Sequence, residues 1–261
     1  MIIIGAGIIG ASFAYHANKS GLNQITVLSS DLPGEKNQAT TNTWGWVNGY
    51  ARNDKSYADF RMANLNYWQN IINEISNLKY SSKGAFIWDL DNSELNETIR
   101  QHKKWGHSVK MTTSSELNEK LPNIINKPIE AGFGADDLAI EGVSVTKELL
   151  KVSGSKIIKK NVRELICENN NVIGVKTDDK IIYDDEVIIT AGLGAPKLLS
   201  TINIPFEMHS SLGLLVYTKP LPQLLKYPIT GLDFHARQDN KGRLIIGCLL
   251  YTSDAADEWR S

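Results

Sequence analysis

Three glycines near the N-terminus have the spacing of a phosphate-binding turn. Gly5, Gly7 and Gly10 form the pattern G-x-G-x-x-G directly after the apolar run Ile2–Ile4. In such a turn the first glycine allows a tight bend, the second lets the backbone approach a pyrophosphate, and the third lets a helix pack closely on a strand. The helix N-terminus then favours the anion. The sequence predicts a dinucleotide-binding turn, and the alternative is a glycine turn without a ligand.

The residues that follow the second strand depart from the usual dinucleotide pattern. An acidic residue normally ends this strand and binds the ribose hydroxyls. Here the strand ends in Ser29, followed by Ser30 and Asp31. A serine hydroxyl binds a ribose less strongly than a carboxylate does. We therefore expect weaker adenosine binding, or a contribution from Asp31.

The hydrophobic periodicity predicts the elements that must position these residues. Predicted helices cover 8–20, 56–78, 93–105, 114–120 and 145–152. Predicted strands cover 2–4, 26–29, 85–88, 156–158, 162–168, 172–177, 181–183, 186–191, 214–218 and 232–238. Pro122 and Pro128 mark a connecting loop, and no element is predicted from there to residue 144.

The three strands predicted between 162 and 183 are joined by short turns rich in asparagine and aspartate. They form an antiparallel meander before the apolar strand that ends at Ala191 and Gly192. In an ordinary nicotinamide-binding domain the crossover between parallel strands is helical. A meander in this place favours FAD over NAD as the bound dinucleotide.

The composition is that of an ordinary globular protein: 42% hydrophobic and 22% charged residues, with a net charge of −1. This balance does not favour a nucleic-acid partner. The apolar N-terminus is interrupted by glycines and lacks a basic flank, so it predicts neither a signal peptide nor a transmembrane segment. We expect Cys167 to be a buried thiol outside any disulfide framework, and the protein to be cytoplasmic.

These pieces occur in an order that resembles the D-amino-acid oxidase superfamily of FAD-dependent amine oxidoreductases, the group that includes glycine oxidase, sarcosine oxidase and D-amino-acid dehydrogenase. The matching segments are residues 2–10, 39–48, 187–192, 211–214 and 237–244, together with Val162. They extend over residues 1–247. The glycine motif alone is common among flavoproteins, whereas the order of all the segments is much more restrictive.

The resemblance implies roles for individual residues. The backbone of Val162 would meet the adenine, Thr40 and Thr41 would lie near the phosphates and the flavin, and Ala191 and Gly192 would pass close to the cofactor. With the glycine turn, the expected cofactor-binding residues are Gly5, Ala6, Gly7, Ile8, Ile9, Gly10, Ser29, Ser30, Thr40, Thr41, Trp46, Val162, Ala191 and Gly192.

Two tryptophans, Trp44 and Trp46, follow this loop and have two open interpretations. They could flank the isoalloxazine ring as a flat apolar wall, or they could be ordinary core packing. Some relatives attach the flavin through a histidine or cysteine near such a loop. Residues 32–50 contain neither, so we expect FAD to be bound without a covalent bond.

The implied reaction transfers a hydride from the carbon that bears an amine to the flavin, and water then hydrolyses the imine. Because the flavin supplies the difficult chemistry, the protein must mainly orient the substrate. The catalytic candidates are His235, Arg237, which could pair with a substrate carboxylate, and Tyr217. The face that carries His235 and Arg237 could line the pocket or could be a solvated outer face of the sheet. The five histidines lack ligand-like spacing, so no metal is expected.

The last residues, from Cys248 to Ser261, resemble the translated read-through of a sequencing-library adapter. We therefore expect the native frame to stop near Gly247 and the chain to be truncated at its C-terminus. Relatives continue into a portion that closes over the flavin and often brings the carboxylate-binding arginine. A catalytically incompetent FAD-binding fragment is accordingly one alternative.

The sequence as a whole predicts an α/β (α+β) protein with two domains. A Rossmann-like FAD domain with the meander crossover would comprise residues 1–50 and 136–201, and an incomplete substrate domain around an antiparallel sheet would comprise 51–135 and 202–247. The expected substrate is a small amine or amino acid of the D-amino acid, glycine or sarcosine type. The expected electron acceptor is oxygen or a respiratory carrier. A less favoured alternative is an NAD-dependent dehydrogenase.

Overall fold

The computed structural model describes residues 1–35, 38–50, 54–78, 80–210 and 213–248, without the side chain of Cys248. Of the predicted tail, which begins at Cys248, residues 249–261 lie outside the described residues. The strands are β1 (Ile2–Ile4), β2 (Thr26–Ser29), β3 (Trp46–Val47), β4 (Tyr80–Ile87), β5 (Val109–Thr112), β6 (Ala131–Ile140), β7 (Lys156–Lys159), β8 (Val162–Glu168), β9 (Asn171–Thr177), β10 (Ile181–Tyr183), β11 (Val187–Ile189), β12 (Leu215–Tyr217), β13 (Ile229–Thr230), β14 (Phe234–Gln238) and β15 (Leu244–Cys248). The helices are α1 (Ile8–Lys19), α2 (Lys55–Glu74), α3 (Asn92–Lys104), α4 (Ser114–Lys120), α5 (Gly142–Val152) and α6 (Ala195–Ser200), with 3₁₀ turns at Ala39–Asn42 and Gly192–Gly194.

The chain divides into two compact units. Unit 1 comprises Met1–Thr43 and Gly142–Ser210, and unit 2 comprises Trp44–Glu141 and Ser211–Ser261. The segments 44–50 and 136–141, which the sequence placed in the FAD domain, lie in unit 2. Residues 202–210 lie in unit 1. Each unit has its own hydrophobic core.

Unit 1 is built on a four-stranded parallel sheet in the order β11-β1-β2-β7. The central strand β1 consists of three isoleucines and is buried on both faces, as parallel strands covered on both sides usually are. Helix α1 follows the glycine turn and buries a face of small residues that includes Ala11 and Ala14. It packs against α5. The predicted strand, turn, helix and strand are thus present.

A three-stranded antiparallel sheet, in the order β10-β9-β8, forms the crossover from β7 to β11. This meander is the one that the sequence predicted. Its first strand contains a register shift between Ile166 and Cys167. Cys167 is exposed, so the expectation of a buried thiol was wrong. The last two residues of β8, Cys167 and Glu168, are both exposed next to the turn, so a position within the strand did not ensure burial.

Unit 2 contains an eight-stranded sheet with the path β12-β15-β14-β13-β4-β6-β3, and β5 also pairs with β6. We expected an antiparallel sheet, but β13 runs parallel to β4, so the sheet is mixed. The core of unit 2 contains Phe86 and Ile87 of β4, Leu95 and Ile99 of α3, and Ala236 of β14.

Strand β6 is the longest strand among the described residues, and it was not predicted from the sequence. It pairs with β3, β4 and β5. Two glycines and two aspartates weaken its strand propensity. Their packing explains them: a Cβ on Gly132 would lie 2.6 Å from Ile99, and one on Gly134 would lie 2.7 Å from the carboxylate of Asp137.

None of the helices in the described ranges combines the length and apolarity needed to cross a bilayer.

Candidate functional site

A cleft of about 480 Å³ lies in unit 1, within the usual size of a small-molecule site. It lies where the parallel strands β1, β2 and β11 reach their carboxyl ends, which is where open α/β sheets bind ligands. Its lining residues are 4–9, 28–31, 38–40, 160–163, 190–194, 197 and 198.

The glycine turn forms one wall of this cleft, and its three glycines have different structural reasons. Gly5 has φ +112°, and a Cβ there would lie 2.4 Å from the carbonyl oxygen of Thr190. A Cβ on Gly10 would lie 2.0 Å from the carbonyl oxygen of Gly5. The protein's own packing therefore requires both glycines. A Cβ on Gly7 would meet only Thr40 Oγ1, at an ordinary 3.4 Å. The absence of a side chain at Gly7 thus leaves open space in the cleft, as a backbone that must approach a pyrophosphate would need.

Helix α1 begins at this turn, and its N-cap residue Gly7 has no side chain that could satisfy the first N–H groups. Thr40 supplies one such acceptor, because the N–H of Ile8 donates to Thr40 Oγ1 at 3.1 Å. Ile8, Ile9 and Thr40 line the cleft, whereas Gly10 and Thr41 do not. The Thr41 hydroxyl is buried without a partner among the described residues.

The end of β2 forms the second wall. Ser29 is buried, accepts a hydrogen bond from the N–H of Ala6 at 3.2 Å, and donates to the carbonyl of Asp31 at 2.7 Å. Its hydroxyl therefore connects the glycine turn to the strand end. Ser30 donates to Asp31 Oδ2 at 2.9 Å. All four residues line the cleft, and Asp31 brings the carboxylate that Ser29 lacks.

The third wall comes from the start of the meander and from the turn after β11. Val162, Ala191 and Gly192 line it. The sequence did not identify the polar lining residues Gln38, Lys160, Asn161, Arg163, Thr190 and Lys197. Lys160, Asn161 and Thr190 lie next to strand ends, and this was the only signal available for them. Thr190 hydrogen-bonds to the carbonyl oxygen of Ile4 at 2.9 Å, and so joins the turn after β11 to β1.

Most of the other predicted residues meet in a separate cluster within unit 2. The ring centroid of Trp44 lies 5.3 Å from that of Trp46 and 4.5 Å from that of His235, and both contacts are edge-to-face. His235 lies over Gly247 on the next strand, where a Cβ would be 2.1 Å from Nε2 of the ring. Burial lowers the pKa of His235 below its usual value, so the imidazole is neutral at pH 7.

Arg237 lies beneath this cluster, and its side chain is only 2% exposed. The solvated-face interpretation is therefore wrong for this residue. The Nε–H donates to the carbonyl of Trp44. Nη1 donates to Ser81 Oγ at 3.2 Å and to Glu141 Oε1 at 2.8 Å. Nη2 donates to the carbonyl of Ile140 at 3.3 Å and to Glu141 Oε2 at 3.5 Å. Each of the five N–H donors of a guanidinium thus has an acceptor.

Tyr217 is on β12 and is partly exposed. Its partner across the sheet is Ile245, which in turn pairs with Arg237 on β14. The guanidinium of Arg243 lies 5.2 Å from the centre of the Tyr217 ring. Tyr217 therefore shares a row of the sheet with Arg237 but contacts a different cation.

Comparison with known proteins identifies the family. The profile of the family DAO, FAD dependent oxidoreductase, matches residues 1–258. Uncharacterized oxidoreductase YurR of Bacillus subtilis (strain 168) is 28% identical over 221 residues, which are 79% of this chain and 58% of YurR. Glycine oxidase of Bacillus licheniformis is 26% identical over 222 residues, which are 81% of this chain and 59% of that enzyme.

The fold is also similar to solved structures. The crystal structure of L-proline dehydrogenase from P. horikoshii matches with a TM-score of 0.83 at 21% identity, over 95% of this chain and 68% of that chain. The chain spans about three fifths of the length of the two curated relatives. The glycine turn, the cleft at the strand ends, the meander and the profile match agree with the predicted family and its cofactor: this chain belongs to the DAO family of FAD-dependent oxidoreductases.

Proposed function

We propose that the cleft of unit 1 binds FAD without a covalent bond and that the protein oxidises the C–N bond of a small amine or amino acid. The observation that carries this proposal is the open space at Gly7 beside the N-terminus of α1, in a chain whose family is FAD-dependent. The turn from Gly5 to Ile9 and Thr40 would hold the pyrophosphate. Asp31 would accept hydrogen bonds from the ribose, and Val162, Ala191 and Gly192 would complete the pocket.

When bound, FAD would accept a hydride from the substrate carbon. The residues of unit 2 would act on the substrate. Trp44 and Trp46 pack edge to face rather than as a flat wall, and they offer large apolar side chains. Neutral His235 offers a hydrogen-bonding group without charge.

Arg237 fits the role of a carboxylate ligand only if Glu141 leaves it, because its donors are already used within unit 2. Binding of a substrate carboxylate by Arg237 therefore stays a prediction, and it requires that Glu141 first moves away from the guanidinium. The relatives suggest which substrates to test. One is named as a glycine oxidase, and a structural neighbour is an L-proline dehydrogenase. Small amino acids with primary or secondary amines form the proposed class.

A second candidate function is FAD binding without turnover. The short coverage of the curated relatives favours it, since residues outside the matched three fifths would then complete the active site. Its test is to compare the chain with a form extended at its C-terminus by the genomic sequence. Equal turnover of the two forms would contradict this alternative.

The main test is an anaerobic titration of the purified chain, first with FAD and then with glycine, N-methylglycine, L-proline and D-alanine. Loss of the visible flavin absorption with at least one amino acid supports the proposal. Binding of FAD without bleaching by any of them supports the second candidate. No binding of FAD contradicts both. Hydrogen peroxide formation in air, compared with reduction of a quinone analogue, then distinguishes oxygen from a respiratory carrier as the electron acceptor.

A further inference from the structure

Residues 44–49, which we call the tryptophan segment, are held in unit 2 by an unusual set of bonds. The carbonyl of Trp44 accepts from Arg237, and the carbonyl of Gly45 accepts from the N–H of Ile140 at 2.8 Å. Trp46 pairs with Ala139 in the sheet. The positive φ of Gly45 (+74°) and a Cβ position 2.3 Å from the carbonyl oxygen of Ile140 fix this bend as glycine.

The second set of bonds ends on Asp137 of β6, whose side chain is completely buried. Its Oδ2 accepts a hydrogen bond from Trp46 Nε1 at 3.2 Å. The backbone N–H of Gly49 also donates to this carboxylate. One carboxylate therefore holds both a tryptophan side chain and the far end of the tryptophan segment.

The other side of Asp137 faces two buried histidines. Its Oδ1 lies 3.7 Å from His107 Nε2, and neither atom has a hydrogen-bond partner in the part of the chain that the structure describes. His107 Nδ1 lies 3.2 Å from His102 Nδ1. Two glycines make room for the side chains of Asp137 and His107. A Cβ on Gly134 would lie 2.7 Å from Asp137 Oδ2, and a Cβ on Gly49 would lie 2.7 Å from His107 Nε2.

Neither buried charge is explained by stability alone. Removing a carboxylate from water is costly, and well-packed apolar residues of similar volume often replace buried charges without loss. Burial raises the pKa of Asp137, although the nearby His107 ring, the Gly49 N–H and the Trp46 indole oppose the rise. Asp137 and Arg237 share their target, because each bonds to the tryptophan segment. On its other side Asp137 faces His107 at 3.7 Å, and Arg237 pairs with Glu141.

We propose that Asp137 and Arg237 are positioning residues that fix Trp44 and Trp46 as a rigid aromatic surface for the active site. Arg237 anchors the first residue of the tryptophan segment, and Asp137 anchors the second indole and the last residue. On this account Arg237 is not the ligand of a substrate carboxylate. That the aromatic surface serves an active site rests on the proposed function, whereas the anchoring itself does not.

The anchoring by Asp137 can be tested on the protein without flavin. The indole Nε1–H resonance of Trp46, assigned by its disappearance in Trp46→Phe, reports the bond in a ¹⁵N–¹H spectrum. We expect Asp137→Asn, which keeps a carbonyl acceptor, to leave this resonance near its wild-type position. Asp137→Leu should shift it and speed its exchange with solvent at least tenfold. The matched control is Asp136→Asn, which changes the exposed neighbour paired with Lys83.

An unchanged resonance and exchange rate in Asp137→Leu would overturn the anchoring by Asp137. If that variant does not fold, the exchange rate is measured in the wild-type protein instead. Its Trp46 indole proton should then exchange with solvent at least tenfold more slowly than in the denatured chain. Absence of this protection would overturn the anchoring without any variant.

The anchoring by Arg237 is tested by the near-ultraviolet circular dichroism of the two tryptophans, taken as the difference between wild type and Trp44→Phe. We expect Arg237→Lys and Glu141→Gln each to lose more than half of this signal. Arg100→Lys, an exposed arginine on α3, should not change it. An unchanged signal in Arg237→Lys would overturn the anchoring by Arg237.

In protein that binds FAD and turns over, Arg237→Lys should lower kcat at least tenfold and change the KM for the amino acid less than twofold. If Arg237 instead bound the substrate carboxylate, its loss would raise KM strongly, and Glu141→Gln would lower KM by freeing the guanidinium. If the protein does not turn over, this result counts against the proposed function only. The anchoring is still tested by the two spectroscopic experiments.

Discussion

The cleft of unit 1 and the aromatic cluster of unit 2 are built in different ways. The cleft is lined by residues of a short glycine motif and of turns at the ends of three strands. The cluster is made of side chains from distant segments, held by two buried charges. A site made of backbone is visible in the sequence because glycine spacing encodes it. A site made of side chains is not, because only the fold brings its members together.

The comparison is tested most strongly in the glycine turn. Gly10→Ala should lower FAD affinity more than 100-fold and also destabilise the fold by about 3 kcal/mol, because its Cβ would overlap the carbonyl of Gly5. Gly7→Ala should lower FAD affinity just as much and leave the thermal unfolding of the protein without flavin unchanged. FAD titration and thermal melting of both variants measure the two effects. If Gly7→Ala binds FAD normally, the backbone at Gly7 does not face the pyrophosphate.

The charged anchor in unit 2 should matter for stability. Glu141→Gln leaves the buried guanidinium of Arg237 without its counter-charge, and we expect a loss of about 3 kcal/mol in urea unfolding. Glu97→Gln removes an exposed glutamate that also pairs with an arginine and should cost less than about 1 kcal/mol. Equal effects of the two variants would mean that the Arg237–Glu141 pair is no different from a surface ion pair.

The buried carboxyl of Asp137 should give unit 2 a pH dependence that the cleft lacks. Because burial raises its pKa in the folded state, the folded protein holds the proton more tightly than the unfolded chain. The contribution of this proton to the free energy of unfolding is fully present below the ordinary aspartate pKa of about 3.9. It is lost as pH rises through the pKa that Asp137 has in the folded protein. Asp137→Asn should therefore be more stable than wild type at pH 7, with a difference that vanishes below about pH 4. Denaturant unfolding between pH 3 and pH 8 measures it. A constant difference across that range would contradict the assignment.

The smallest effect is expected at the ribose side of the cleft. Asp31→Asn should weaken FAD binding about fivefold, which corresponds to the loss of one moderate hydrogen bond. The effect is small because the amide that replaces the carboxylate can still form hydrogen bonds. Ser30→Ala is the control. It removes the hydroxyl that donates to Asp31 and leaves the Asp31 carboxylate in place. Isothermal titration with FAD compares the two. A stronger effect of Ser30→Ala than of Asp31→Asn would assign the ribose contact to the serine.

The sequence predicts the cleft of unit 1 better than the aromatic cluster of unit 2. Strand, glycine turn, helix and meander were predicted because each has a local pattern, and the family match agrees with the cofactor. Strand β6 was missed because its glycines and Asp137 serve contacts with Ile99, Trp46 and His107, which no local pattern shows. Arg237 was noticed for its charge, but its four partner residues lie more than ninety residues away in the sequence. Burial and partners of a charged side chain are properties of the fold.

The central claim is that the cleft of unit 1 binds FAD through its backbone and without a covalent bond. The most direct measurement is a titration of the purified chain with FAD, followed by the melting temperature and by release of the flavin on acid denaturation. The account predicts one FAD per chain, a melting temperature that rises with FAD concentration but not with NADH, and complete release of the flavin. A melting temperature that is indifferent to FAD, or flavin that stays with the denatured chain, would contradict it.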